Sequence, residues 1–187
     1  MTRTHAQILI APLLLLLVAA SSENGGPHYT SNGALIMPVD YREWVFLSAG
    51  LDMSYSNAPA MVGQSMFGNT FVDRTSWQRF KATGHWPDGT MLVLENRGAA
   101  TRGSINKRGM YQSDVRMGVE IHVRDESRFK GGWAFFVTDG ESPAKQVPYA
   151  AECYSCHLQH GAVDTTFAQF YPTAKAIAKQ AGSFREP

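Results

Sequence analysis

The pentapeptide Cys153-Tyr154-Ser155-Cys156-His157 constrains this chain most, because it contains both of the cysteines in the sequence. Two thiols three positions apart on one helical turn can add to the two vinyl groups of a haem, and the adjacent histidine then faces the iron. The C-x-x-C-H spacing is typical of c-type haem attachment. We therefore predict one covalently attached haem c, bonded to Cys153 and Cys156, with His157 as the proximal iron ligand.

Other chemistry is open to the same pair of cysteines. They could form a thioredoxin-type redox pair, a strained disulfide in an oxidising compartment, or half of a zinc site. A structural zinc ion takes four nitrogen or sulfur ligands. Apart from His157, only His160 could supply a further ligand close to the motif. The immediate His157 and the lack of a third cysteine favour haem over these alternatives.

The amino terminus predicts export. A short start containing Arg3 leads into an uncharged, apolar run at residues 8–20 that ends in small residues, as secretory signal peptides do. The alternative, a membrane anchor, requires ~20 apolar residues, and this run is shorter. We expect a signal peptide over residues 1–20, a flexible Gly- and Ser-rich leader over 21–30, one domain over 31–187, and a periplasmic location.

Composition fits a single folded domain. The hydrophobic fraction is 44% with 11% aromatic residues, which is enough for a proper core. The net charge is +1, so positive and negative charges are nearly balanced, which argues against nucleic acid as the main partner. We therefore expect no nucleic acid partner.

The hydrophobic pattern predicts an α+β fold, mainly an antiparallel β-sheet with a few flanking helices and the haem attached near the carboxyl terminus. Segments rich in β-branched and aromatic residues predict strands at 90–94, 118–123 and 133–138. In the second of these, Glu120 and His122 are two residues apart, so a strand points both to one face. A polar, Gly-rich loop is expected at 96–110.

Helices are expected at three places: a short one within residues 38–47 that runs into an extended segment, a second within 73–83, and a terminal one over 167–181. Thr75 or Ser76 could cap the second helix, and Gly84 should end it. The terminal helix should be interrupted near Pro172, because proline cannot donate a helical hydrogen bond.

The sixth coordination position of the iron separates an electron carrier from a protein that binds small molecules. The compact all-helical cytochromes place a methionine ligand after the attachment motif, but no methionine follows His157 here. A methionine near strands usually fills a core. We expect an open sixth position, while candidates upstream and nearby remain: Met37, Met53, Met61, Met66, Met91, Met110, Met117, His85, His122 and His160.

Four sequence blocks together resemble the cytochrome P-460 family: LIMPVDYREWVF at 35–46, GHWPDGTMLVLE at 84–95, GGWAFF at 131–136 and AECYSCHLQHGAVDTTFAQFYP at 151–172. The resemblance covers nearly the whole chain after the leader. It implies a mostly antiparallel β fold, a homodimer, and one haem with a proximal histidine and an open distal face. The family's enzymes oxidise hydroxylamine with nitric oxide chemistry, and turnover requires an acceptor, for which we expect a small soluble cytochrome.

Two positions decide what the resemblance implies for activity. In the family's enzymes, a lysine on the strand after an Asp-Gly-Thr turn is bonded to the porphyrin; here the turn lies at 88–90 and the lysine position falls on Leu94. The enzymes' distal glutamate, used in proton transfer, falls on Glu120. The alternative for Glu120 is an exposed strand carboxylate paired with Arg116 or Arg124.

The missing lysine is also what distinguishes the related cytochromes c-prime-beta, which bind nitric oxide beneath an apolar distal cap. Leu94 suits such a cap, with Phe67 and Phe71 as further candidate members. Three functions therefore stay open: a hydroxylamine or nitric oxide oxidoreductase, a non-catalytic nitric-oxide-binding protein, and a plain electron-transfer cytochrome. Arg97, Arg102 and Lys107 are candidate partners of the haem propionates, or solvated charges.

Overall fold

The computed structural model describes residues 26–54, 65–140 and 143–186. The expected signal peptide, the first part of the leader and Met61 lie outside these ranges. None of the helices within them has both the length and the apolar character of a membrane span.

The described residues form one sheet of six antiparallel strands, and each strand pairs with the strand that follows it in sequence. This meander confirms the predicted α+β fold with a mainly antiparallel sheet. The strands are β1 Val45–Leu51, β2 Met66–Val72, β3 Met91–Ala100, β4 Tyr111–Arg124, β5 Trp133–Thr138 and β6 Lys145–Gln146.

Three α-helices occur in the described ranges: α1 Arg74–Thr83, α2 Glu152–His160 and α3 Pro172–Ala181, with short 3-10 helices at Tyr41–Glu43 and Ala168–Phe170. The cap predicted for α1 was wrong, because the carboxylate of Asp73 accepts the Ser76 N–H at 2.7 Å. Asp73 also accepts the Met91 N–H at 3.1 Å, which ties the start of α1 to β3. The predicted end of α1 is confirmed at Gly84, which has a φ of 74°. The predicted interruption near Pro172 is also confirmed, because the 3-10 helix ends at Phe170 and α3 begins at Pro172.

The loop predicted at 96–110 was too long. β3 continues to Ala100 and β4 starts at Tyr111, so that these two residues face each other across the ladder. Amide side chains support the extension, since Asn69 and Gln112 exchange hydrogen bonds of 3.0 and 2.8 Å. Polar residues suit strands whose faces meet water.

The two faces of the sheet bury separate cores, because successive residues of a strand point to opposite sides. On one side, which we call the helix face, Leu92 packs with Phe80, Trp86 and residues of α3. On the other side, Val93 packs with Leu35 and other residues of the amino-terminal segment and the sheet. The helix face also carries Thr70, Leu94, Glu120, His122, Phe135 and Val137, as the pairing register shows.

Candidate haem-binding site

Helix α2 carries the attachment motif. Cys153, Cys156 and His157 lie three and four positions apart, which places them on one face of the helix. Both cysteines are free thiols, the first exposed and the second half-buried. The motif therefore presents two thiols and one imidazole to the same side.

The ring of His157 is fixed in orientation. Its Nδ1 lies 2.8 Å from the carbonyl oxygen of Thr165, so Nδ1 carries the proton and Nε2 keeps its lone pair. Phe167 stacks on the ring at 4.1 Å between centroids, and Phe135 and His122 contact it edge-on at 4.6 and 5.0 Å.

Electrostatics keep this imidazole neutral. Burial lowers the pKa of His157, and the hydrogen bond to the Thr165 carbonyl offsets only part of that shift. A neutral imidazole with a free Nε2 is what a haem iron requires of a protein ligand. With two thiols beside it, the donor set fits a covalently attached haem. In the described ranges, no three or more His, Cys, Asp or Glu side chains are grouped so that they could hold a metal ion by themselves.

Two cross-strand rows of the helix face lie next to one another beside His157. In the first row, His122 pairs with Leu92 and Phe135. In the second, Glu120 pairs with Leu94 on one side and Val137 on the other. The structure therefore brings the predicted residues Leu94 and Glu120 directly opposite each other, one row along from the histidine that contacts His157.

The second row is only partly covered by the protein itself. Val137 is 44% exposed, Leu94 is half-buried and Glu120 is exposed. Asn96 donates its Nδ2 hydrogen to the Oε1 of Glu120 at 3.0 Å. Arg124, one of the two cations considered for Glu120, instead forms an ion pair with Glu126 at 2.5 Å.

His122 was placed on the strand face of Glu120 by the sequence, but with no role beyond that of one candidate iron ligand among many. Its ring stacks on Phe135 at 4.1 Å between centroids and lies tilted against Trp133 at 4.3 Å. Burial, and secondarily the neighbouring His157, lower the pKa of His122 well below its ordinary value. Its Nε2 is buried without a hydrogen-bond partner among the described residues. The contact of His122 with His157, 35 residues away, has no signal in the local sequence.

The predicted distal cap was partly wrong. Phe71 contacts Tyr41 and Phe46 at 5.9 and 5.8 Å, and the register puts it opposite Val93, on the face away from Leu94. Phe67 lies four residues earlier on the same strand and shares that side. Strand alternation thus removes both phenylalanines from the Leu94 face.

The three residues considered as partners of the haem propionates lie in two different places. Arg97 donates to Glu95 at 2.7 Å, and Glu95 belongs to the face opposite Leu94. Arg102 and Lys107 lie exposed in the turn between β3 and β4.

Comparison with known proteins identifies the family. The Cytochrome P460 family model matches residues 38–168, a span that contains every residue of the site described above. No curated protein matches the chain. Since the matched span covers well over half of the sequence, this chain belongs to the cytochrome P460 family and is a haem-binding cytochrome.

Proposed function

We propose that this cytochrome is exported to the periplasm and holds one haem c through Cys153 and Cys156, with His157 as proximal ligand and the opposite face open to hydroxylamine or nitric oxide. The observation that carries the proposal is the hydrogen bond from His157 to Thr165, which leaves Nε2 free beside two free thiols. When bound, the haem supplies an iron that binds small nitrogen ligands and exchanges electrons.

Glu120 is the residue that can move protons. Hydroxylamine loses protons as it loses electrons, and a carboxylate within hydrogen-bond reach acts as a general base. Asn96 holds one carboxylate oxygen of Glu120, which fixes the direction of the side chain. Because Glu120 is exposed, it can pass protons on to solvent.

Leu94 supports a second candidate, non-catalytic binding of nitric oxide. It lies directly opposite Glu120 and has no nitrogen with which to form the family's porphyrin cross-link. With Val137 across the same row, it makes this part of the site apolar on both sides of the carboxylate. Apolar side chains around an iron limit the access of water. They cannot accept protons, so they favour binding of nitric oxide over proton-coupled oxidation.

Optical spectra of the purified holoprotein separate the candidates. A strongly red-shifted ferrous Soret band indicates a cross-linked haem and favours the oxidoreductase. An ordinary five-coordinate ferrous spectrum favours nitric oxide binding. A low-spin ferrous spectrum indicates a second protein ligand, and both proposals would then be wrong in favour of plain electron transfer.

Glu120→Ala tests the catalytic proposal directly. We expect it to abolish hydroxylamine turnover with an artificial electron acceptor while leaving haem content unchanged, since general base catalysis contributes about 10²–10⁴-fold. Glu126→Ala is the matched control, because Glu126 is an exposed carboxylate paired with Arg124 outside this row. Equal steady-state rates in the wild type and Glu120→Ala would remove Glu120 from the site.

The proposed assembly is a homodimer that passes electrons to a small soluble cytochrome. The outer part of the β3–β4 ribbon exposes apolar side chains, including Val115 at 62% and Met117 at 48%, which is the kind of surface that a second copy covers. Light scattering after size exclusion should give twice the chain mass, and Val115→Glu should reduce it. A wild-type protein that stays monomeric at high concentration would contradict the dimer.

A further inference from the structure

The turn that follows α2 has an unusual backbone. Asp164 and Thr165 both adopt left-handed conformations, with φ values of 45° and 64°. This region is disfavoured for residues other than glycine, most of all for a β-branched residue such as threonine. The turn closes through the Thr166 N–H, which donates to the Val163 carbonyl at 2.7 Å. Such a conformation persists only where the surroundings enforce it.

Trp86 holds this turn from both sides. Its backbone N–H donates to Oδ2 of Asp164 at 2.8 Å, and its indole Nε1–H donates to the hydroxyl of Thr166 at 2.9 Å. Trp86 is itself fully buried and stacks on Phe80 at 3.9 Å between centroids. His85 adds a contact to Asp164 at 3.0 Å. The turn is thereby tied to the helix-face core.

Thr165 lies between Asp164 and Thr166, the two residues that Trp86 holds. Its carbonyl oxygen accepts the Nδ1 hydrogen of His157 at 2.8 Å. Its hydroxyl oxygen is buried without a hydrogen-bond partner among the described residues. The strained residue therefore contributes to the site through its backbone carbonyl.

We propose that Asp164 and Thr166, anchored on Trp86, are positioning residues that fix the Thr165 carbonyl on His157 and so set the basicity of the iron ligand. The inference rests on the proposed role of His157 as haem ligand. A hydrogen bond from Nδ1 makes the imidazole a stronger electron donor, which stabilises the ferric state and lowers the reduction potential. Loosening the turn should raise the potential and lower the iron–histidine stretching frequency.

Asp164→Ala and Asp164→Asn form the first test, made on haem-loaded protein. Both remove the charge of Asp164, but asparagine keeps an acceptor for the Trp86 N–H and tolerates the left-handed conformation. We expect Asp164→Ala to raise the reduction potential and lower the iron–histidine stretching frequency, and Asp164→Asn to restore both towards the wild type. Equal shifts in the two variants would trace the effect to charge and overturn the inference, as would no shift in either.

Thr166→Val and Thr166→Ser give an independent pair if Asp164→Ala does not fold. Valine removes the acceptor for the Trp86 indole without a large change in volume, whereas serine keeps it. Within this pair, we expect the reduction potential to rise in Thr166→Val and to stay at the wild-type value in Thr166→Ser. A wild-type protein without covalent haem would overturn both the proposed function and this inference, whereas haem-loaded variants that all share the wild-type potential overturn this inference alone.

Discussion

Glu95→Gln removes the charge of a buried carboxylate that joins the sheet to the amino-terminal segment. Glu95 is 2% exposed. It accepts hydrogen bonds from Nε and Nη2 of Arg42 at 3.1 and 2.5 Å, and from Nε of Arg97 at 2.7 Å. Burial by itself raises the pKa of the Glu95 carboxyl, but the hydrogen bonds and charges of the two arginines outweigh it and lower the pKa below its ordinary value of 4.5.

The expected cost follows from these contacts. A hydrogen bond to a charged group contributes about 1.5–3 kcal/mol. The two from Arg42 count for less than this, because the Arg42 side chain is 46% exposed and solvent screens it. Glutamine keeps one acceptor oxygen and loses the charge, so we expect a loss of about 2–3 kcal/mol. At about 2–4 °C per kcal/mol for a chain of this size, Tm should fall by about 4–12 °C.

Thermal unfolding followed by circular dichroism measures this loss and its pH dependence. Because the folded-state pKa of Glu95 is lowered, its stabilisation is fully present above the unfolded-state pKa and is lost as pH falls through the folded-state value. The Tm difference between the wild type and Glu95→Gln should therefore be constant near neutral pH and shrink below pH 4.5. Glu126→Gln, at an exposed ion pair, should change stability by at most about 1 kcal/mol. An unchanged Tm in Glu95→Gln, or a Tm difference that persists undiminished well below pH 4.5, would show that the charge of Glu95 does not stabilise the fold through the two arginines.

Three further predictions concern α2 and its surroundings. Arg185→Ala removes hydrogen bonds from Nη2 to three carbonyls at the end of α2, at 2.7–3.0 Å, and should cost about 1–2 kcal/mol of unfolding free energy in denaturant titration; no change would mean that these contacts do not hold the helix. Cys153→Ala combined with Cys156→Ala should abolish haem stain on a denaturing gel, and retained stain would contradict covalent attachment at this motif. His122→Phe keeps the ring stack and removes the unpartnered Nε2, so the haem-free protein should gain up to about 1 kcal/mol of unfolding free energy; a marked loss of stability would contradict this prediction.

The parts of the fold that local pattern determines could be predicted from the sequence. β5 has the predicted bounds, because Trp133–Thr138 is a continuous apolar and β-branched run between glycine and aspartate. β2 was missed, since Gly68 and Asn69 interrupt its apolar pattern. Asn69 is stabilised in the sheet by Gln112, 43 residues away, and no local window contains both partners.

The site also has parts that could be predicted from the local sequence and parts that could not. The attachment motif lies within five consecutive residues, so its chemistry could be inferred directly. The shared face of Glu120 and His122 followed from strand alternation, whereas the exclusion of Phe71 required the register with Val93. The contacts of Trp86 with the turn join residues 78 and 80 positions apart. Only the folded arrangement shows which carbonyl orients His157.

The most direct test for a haem bonded to Cys153 and Cys156 is the mass of the intact purified protein under denaturing conditions. After treatment with a thiol-alkylating reagent, we expect a chain heavier than its polypeptide by one haem, with neither cysteine alkylated. A chain of polypeptide mass that takes up two alkyl groups would contradict it.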